Sequence, residues 1–247
     1  SGSSGGGPGA AAPRPGPAPA GSAEDAPIVL DDDEEEEEPA CRKRARHPPP
    51  ADAPPRTLHA GVERLTLRGG VLDDAILARV TAIAQQCNCV GCDGRGLADA
   101  VARKLPYGSS YADRRKAASS RFACPEDRAV PGTIDVRRPP TPAAAGGLGR
   151  PWVINLFAQC EIGAPGPYHR VPPPAGVVDT AAARQQWFRD GLAAIGRLAP
   201  APASVAFPHQ IGCGLAGGNW ATYEAMLEDF AAAHPHIRCY ICTLAGS

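Results

Sequence analysis

The residues best suited to chemistry lie in one glycine-rich stretch, His209-Gln210-Ile211-Gly212-Cys213-Gly214-Leu215-Ala216-Gly217-Gly218-Asn219-Trp220. Its four glycines leave backbone N–H groups free to turn inward around an anion, and a helix expected from Trp220 adds the positive end of its dipole. A diphosphate suits such a loop, although a tight structural turn would use the same glycines. The spacing matches neither the Walker pattern with its Lys nor GxGxxG, so neither nucleotide hydrolysis nor dinucleotide redox chemistry is indicated. His209, Cys213 and Asn219 are the side chains available to assist a hydrolysis. Each also has an ordinary structural reading, as a hydrogen-bonded loop His, a small packed thiol and a helix N-cap.

A second loop, Gln85-Gln86-Cys87-Asn88-Cys89-Val90-Gly91-Cys92-Asp93-Gly94-Arg95-Gly96-Leu97, again runs from strand pattern to helix pattern. Its glycines let backbone approach a ligand, and Asn88 has the donors and acceptor to hold a ribose. The cysteines raise a rival chemistry. Cys87, Cys89 and Cys92 with the Cys239/Cys242 pair could form a thiolate set for zinc. Yet Cys239 and Cys242 fall on an expected strand, where residues three apart point to opposite faces. Packed, reduced thiols are the plainer reading, and neither a metal nor a cofactor is expected.

The elements that must position these loops follow from periodicity. Val62 to Arg68 and Thr81 to Cys89 read as strands, and Leu97, Val101 and Leu105 mark a helix. Thr133 to Val136 is short and extended, and Trp152 to Ala158 is a continuous apolar run, as in a strand buried on both faces. Asp179 is expected to cap a helix with the stripe Trp187, Phe188, Leu192, Ile195. A strand from Ser204 to Phe207, a helix through Trp220, Tyr223, Leu227 and Phe230, and a strand from Ile237 to Thr243 complete the chain. This order predicts a three-layer α/β fold with a mixed, largely parallel sheet and helices on both faces. Ligands in such sheets sit outside the carboxyl ends of the strands, where both loops fall.

Composition divides the chain near residue 57. Residues 1–56 are Pro/Ala/Gly-rich, with an acidic and a basic run and no aromatic residue, and are expected to be disordered. Residues 57–247 hold every Trp, Tyr and Phe and are expected to form one monomeric domain. Ile28, Val29 and Leu30, directly before the acidic run, resemble a SUMO-interacting motif that would add a strand to a partner's sheet edge; an acidic spacer is the alternative. Arg42, Lys43, Arg44 and Arg46 form a basic cluster suited to an import receptor, which points to a protein of the nucleus, or of nucleus and cytoplasm, with a plain solvated charge run as the alternative. Neither a signal peptide nor a membrane span is legible, and nine cysteines without a secretory signal argue for reduced thiols. Met226 is the only methionine, so a piece of a longer chain is one reading of the sequence.

The strand Val153 to Gln159 and the loop IGCGLAGGNW, with the Asn88 loop before them, resemble the macro domain family over Val62 to Leu244. The resemblance is to the branch of ADP-ribose-1''-phosphate phosphatases, terminal ADP-ribose glycohydrolases and macro domains of large DNA viruses. It implies that Gly212, Cys213, Gly214, Leu215, Ala216 and Gly217 wrap the diphosphate and distal ribose of ADP-ribose, with Asn88, Gly94 and Gly96 as the opposite wall. The glycohydrolases carry an Asp where Ala216 stands, and a Lys after the strand matching Thr133 to Val136. Here the nearest bases are Arg137 and Arg138, which cannot serve as amine nucleophiles. The adenine-binding Asp common in the family is also displaced, since Gly69-Gly70-Val71-Leu72 precedes Asp73 and Asp74. The resemblance therefore implies a reader of ADP-ribose or mono-ADP-ribosylated protein, with hydrolysis of ADP-ribosyl or ADP-ribose-1''-phosphate substrates as the alternative, and a nucleotide-free scaffold as a third.

Overall fold

The computed structural model describes residues 61–140, 149–166 and 170–246, all within the unit Pro54–Ser247. The Ile28–Leu30 motif, the acidic run and the Arg42–Arg46 cluster lie outside the described residues.

Six segments of alternating or continuous apolar character form strands: β1 (Val62–Leu67), β2 (Ala82–Asn88), β3 (Ile134–Arg137), β4 (Trp152–Gln159), β5 (Ser204–Pro208) and β6 (Arg238–Leu244). They make one sheet in the order β1-β6-β5-β2-β4-β3. All neighbours are parallel except β3, which runs antiparallel to β4 at one edge. The helices are α1 (Asp74–Leu77), α2 (Leu97–Lys104), α3 (Ala181–Gly196) and α4 (Trp220–Ala233).

The period of two along each strand sorts its side chains into two cores. Ala82, Ala84, Ile154, Leu156, Val205, Phe207, Cys239 and Ile241 face α3 and α4, where they meet Phe188, Leu192, Ile195, Tyr223, Leu227 and Phe230. The intervening Ile83, Val153, Ala206, Tyr240 and Cys242 face the other way, onto Ile76 and Leu77 of α1 and Val101 of α2. The result is the three-layer α/β arrangement that the sequence predicts. Each fully buried large apolar side chain, such as Phe188 or Leu227, contributes about 1.5–3 kcal/mol through removal from water.

Two local details set up the site. Asn219 caps α4, its Oδ1 accepting from the Thr222 N–H at 3.1 Å, which ends the glycine-rich loop at a fixed point. The cap of α3 is Thr180, whose hydroxyl accepts from the Ala183 N–H at 3.1 Å. The expectation for Asp179 is thus corrected: it sits one residue early and is fully buried in an ion pair with Arg184.

Candidate functional site

A cavity of about 490 Å³ opens at the carboxyl edge of the sheet, within the range of small-molecule clefts. All five parallel strands deliver residues to it. Gly69, Gly70 and Val71 follow β1, Gln86 and Asn88 end β2, Gln159 ends β4, Pro208 ends β5, and Cys242 and Leu244 end β6. Arg95, Gly96, Leu97 and Ala98 come from the entry to α2, and His209 to Gly212 and Gly214 to Ala216 from the glycine loop. The topology explains this convergence, because parallel neighbours all end on the same side.

The glycine loop is built so that its amides are available. Gln210 enters it with φ of +60° and Gly212 follows with φ of +75°. A side chain at Gly212 would meet Gln86 Oε1 and the Tyr223 ring, each at 2.6 Å, so only glycine fits against this floor. The Cys213 N–H returns to Gln210 O at 2.9 Å, Gly217 N–H to Gly214 O at 3.0 Å, and Gly218 N–H to Gly212 O at 2.9 Å. The N–H groups of Gly214, Leu215 and Ala216 donate to no group among the described residues. Three successive amides bordering a cavity and lacking acceptors suit an anion, which would satisfy them.

The facing wall is tied down by side chains. Asn88 is buried, its Oδ1 accepting from Gly91 N–H at 2.6 Å and its Nδ2 donating to the Tyr111 hydroxyl at 3.1 Å. Its side chain therefore shapes the loop it was expected to line. Arg114 donates to the carbonyls of Asn88, Cys89 and Gly91 at 3.2, 3.1 and 2.8 Å and stacks over Tyr111 and Phe157. On the cavity floor Gln86 Nε2 donates to Gln159 Oε1 at 2.9 Å across β2 and β4.

Of the residues singled out in the sequence, Asn88, Gly96, His209, Gly212, Gly214, Leu215 and Ala216 line the cavity. Gly94 packs instead on the first turn of α2, where a Cβ would meet Ala98 and Asp99 backbone at 3.0 Å. Gly217, with φ of +70°, turns toward Ala164. Cys213 points away, its Sγ donating to Ile211 O at 3.4 Å, and burial pushes its thiol up to about 11. His209 stands edge-on to Trp220 with ring centres 4.8 Å apart, and Asn219 is occupied as the cap.

The bases and acids weighed as substitutes for missing family residues lie elsewhere. Arg137 pairs with Asp135 and Asp113, each at 2.6 Å, beside a separate cavity of about 270 Å³, and Arg138 stacks over Trp152 at 4.4 Å. The Asp73 carboxylate accepts from the N–H groups of Gly69 and Ala75, which hold it below the usual carboxylate range. Asp74 pairs with Lys104 at 2.6 Å. Among the described residues the lining thus carries one arginine, Arg95, one histidine and no carboxylate.

For the zinc reading, Cys239 belongs to the core under α3 and α4, and Cys242 to the core on the opposite face. Among the described residues no group of three or more His, Cys, Asp or Glu side chains is placed to hold a metal ion. Nor, among them, is any helix long and apolar enough to cross a membrane.

Sequence reasoning missed several lining residues: Gln86, Arg95, Tyr111, Gln159 and Ile162. A signal existed for the glutamines, since each is a polar residue at the carboxyl end of an otherwise apolar strand. For Tyr111 and Ile162 no comparable signal exists.

No family model matches the chain, and no curated protein does. Among solved structures the chain is similar to the macrodomain of Mycobacterium tuberculosis DarG, at 22% identity and a TM-score of 0.46, covering 73% of this chain and 97% of that one. It is similar to the macrodomain of Thermus aquaticus DarG at 21% identity and a TM-score of 0.47, covering 73% and 98%. A third match, described as Alphavirus P23pro-zbd, has 18% identity and a TM-score of 0.42, covering 74% of this chain and 22% of that one.

Proposed function

We propose that the protein binds ADP-ribose, or a derivative such as mono-ADP-ribosylated protein, in the cleft at the carboxyl edge of its sheet, and acts as a reader module. The observation that carries this reading is the run of amides at Gly214, Leu215 and Ala216 that, among the described residues, have no acceptor and border a cavity wall without carboxylates. An anion such as a diphosphate gains charge-assisted hydrogen bonds there and meets no like charge. The apolar stretch of the lining at Val71, Leu97 and Leu244 suits a nucleobase face, and the glutamine and asparagine amides suit ribose hydroxyls. The macro domain motifs in the two loops supply the identity of the ligand.

Hydrolysis of an ADP-ribosyl or ADP-ribose-1''-phosphate bond is the second reading, favoured by one observation. Among the described residues His209 is the one histidine of the lining, imidazole being a common general acid or base, and its ring is held against Trp220. Incubation of the protein with mono-ADP-ribosylated protein and with ADP-ribose-1''-phosphate separates the two. A reader leaves both intact while binding ADP-ribose; release of ADP-ribose or phosphate that a His209→Ala variant abolishes would replace the reader with the enzyme. Recruitment through SUMO by Ile28, Val29 and Leu30, and nuclear import through Arg42, Lys43, Arg44 and Arg46, belong to the same proposal and rest on the sequence of the tail.

A further inference from the structure

Among the described residues the largest buried polar side chain belongs to Arg184, on the first turns of α3, with 2% of its side chain exposed. A guanidinium has five N–H donors, and here all five find oxygen. Nε and one Nη2 proton take the two carboxylate oxygens of Asp179 at 2.5 and 2.7 Å. Nη1 donates to Gly163 O at 2.6 Å and to Ala216 O at 3.0 Å, and Nη2 also reaches Glu161 O at 3.5 Å. Glu161 and Gly163 belong to the loop after β4, whereas Ala216 belongs to the glycine loop after β5.

Among the described residues no backbone hydrogen bond joins those two loops to each other. In the sheet β2 lies between β4 and β5, so no ladder hydrogen bond relates the strands from which the loops spring. The loops also approach at Gly217, where a Cβ would lie 3.2 Å from the Ala164 methyl and 3.9 Å from Pro165 Cδ. Orientation follows as well as spacing. Across a planar trans peptide the carbonyl and the next N–H point to opposite sides. Drawing the carbonyls of Glu161 and Gly163 onto Arg184 therefore turns the N–H groups of Ile162 and Ala164 away from it, and Ile162 lines the cavity. Stability alone does not call for this arrangement. A cation near a helix N-terminus opposes the helix dipole, and a well-packed apolar pair commonly replaces a buried ion pair at no loss of stability.

We propose that Arg184, held by Asp179, is a positioning residue that sets the aperture of the cleft by pinning the Glu161–Gly163 segment to the glycine loop. Its part in ligand binding rests on the proposed function; its part in ordering the loops does not. The test compares the full chain with a Arg184→Met/Asp179→Leu pair and with Arg184→Lys, whose ammonium keeps the charge beside Asp179 but cannot span both loops. Three quantities are read: melting temperature, amide exchange of the ligand-free protein, and ADP-ribose affinity by calorimetry. The apolar pair is expected to melt close to wild type, while the amides that close the turns of the glycine-loop segments, those of Cys213, Gly217 and Gly218, exchange about tenfold faster or more, as loops released from their anchor do. ADP-ribose affinity falls about tenfold or more in both variants, because the loops must then be ordered on binding. A merely structural role would move the melting temperature together with affinity, or neither. Should the apolar pair fail to fold, the Arg184→Lys variant carries the same expectation. Unchanged exchange in these segments overturns the inference, and so does faster exchange with undiminished affinity. If the wild-type chain gives no heat with ADP-ribose, the functional proposal falls, and the exchange data still decide whether Arg184 pins the loops.

Discussion

At Gly214, Leu215 and Ala216 the backbone does what a side chain does elsewhere. Their amides lack acceptors among the described residues, whereas the neighbouring amides of Cys213, Gly217 and Gly218 close tight turns that fix their direction. Cys213, in the middle of this loop, is the residue most open to misreading as a nucleophile. Its thiol is directed to the Ile211 carbonyl, and loss of hydration pushes its pKa up to about 11. A thiolate is the reactive species, so at pH 7.5 Cys213 should resist iodoacetamide, with alkylation rising only as pH approaches that value. Peptide mass spectrometry across a pH series measures this; fast modification of Cys213 at pH 7.5 in the folded protein would contradict the assignment. Arg184 contributes at the same scale, as one side chain whose five donors join two loops and a carboxylate.

Among the elements, α4 links fold to site most directly, because its first residue ends the glycine loop. Its cap, Asn219, accepts from Thr222 N–H and from the Thr222 hydroxyl at 3.2 Å. Asn219→Ala should cost about 1 kcal/mol of stability in urea unfolding, the usual worth of an N-cap; a loss below about 0.3 kcal/mol would show that the cap does not anchor the helix. Much of the element pattern was legible, since strands β2, β4, β5 and β6 send side chains into two apolar cores and so read as short, nearly continuous apolar runs. The antiparallel setting of β3 was not legible, because a four-residue strand carries no sign of direction. Neither was α1, a single turn too short to show a helical stripe. Asp179 drew a wrong expectation because an acidic residue before a helix looks like a cap, while its real partner is five residues on. Arg184 could not be found from sequence at all. Its other partners are backbone carbonyls 21 to 32 residues away, and carbonyls leave no residue-type signal. The glycine loop stood out because its composition is itself the mechanism.

Over the whole domain, the segment between α2 and β3 has little regular structure and is held by polar contacts. Arg114 gathers three carbonyls, and Arg115 grips Asp127 through its backbone N–H, Nε and Nη2 at 2.7, 2.8 and 2.9 Å. The Arg115 hydrogen bonds hold the Asp127 carboxyl at about 2, below its ordinary 3.8. A carboxyl depressed on folding adds stability that is fully present above the unfolded pKa and is lost as pH falls through the folded one. Stability should therefore decline between about pH 4 and pH 2, and Asp127→Asn should flatten that decline; an unaltered acid profile in the variant would remove Asp127 from the account. The central claim concerns the cleft, and calorimetric titration with ADP-ribose of the full chain beside a Gly214→Glu variant tests it most directly. Among the described residues, its two chain neighbours aside, no atom lies within 4 Å of a Cβ built at Gly214, so the variant should fold and melt as wild type does while placing a carboxylate on the cavity wall. Micromolar binding by the wild-type chain that the variant loses is the predicted result. A folded wild-type chain that gives no heat, or a variant that binds undiminished, would contradict the claim.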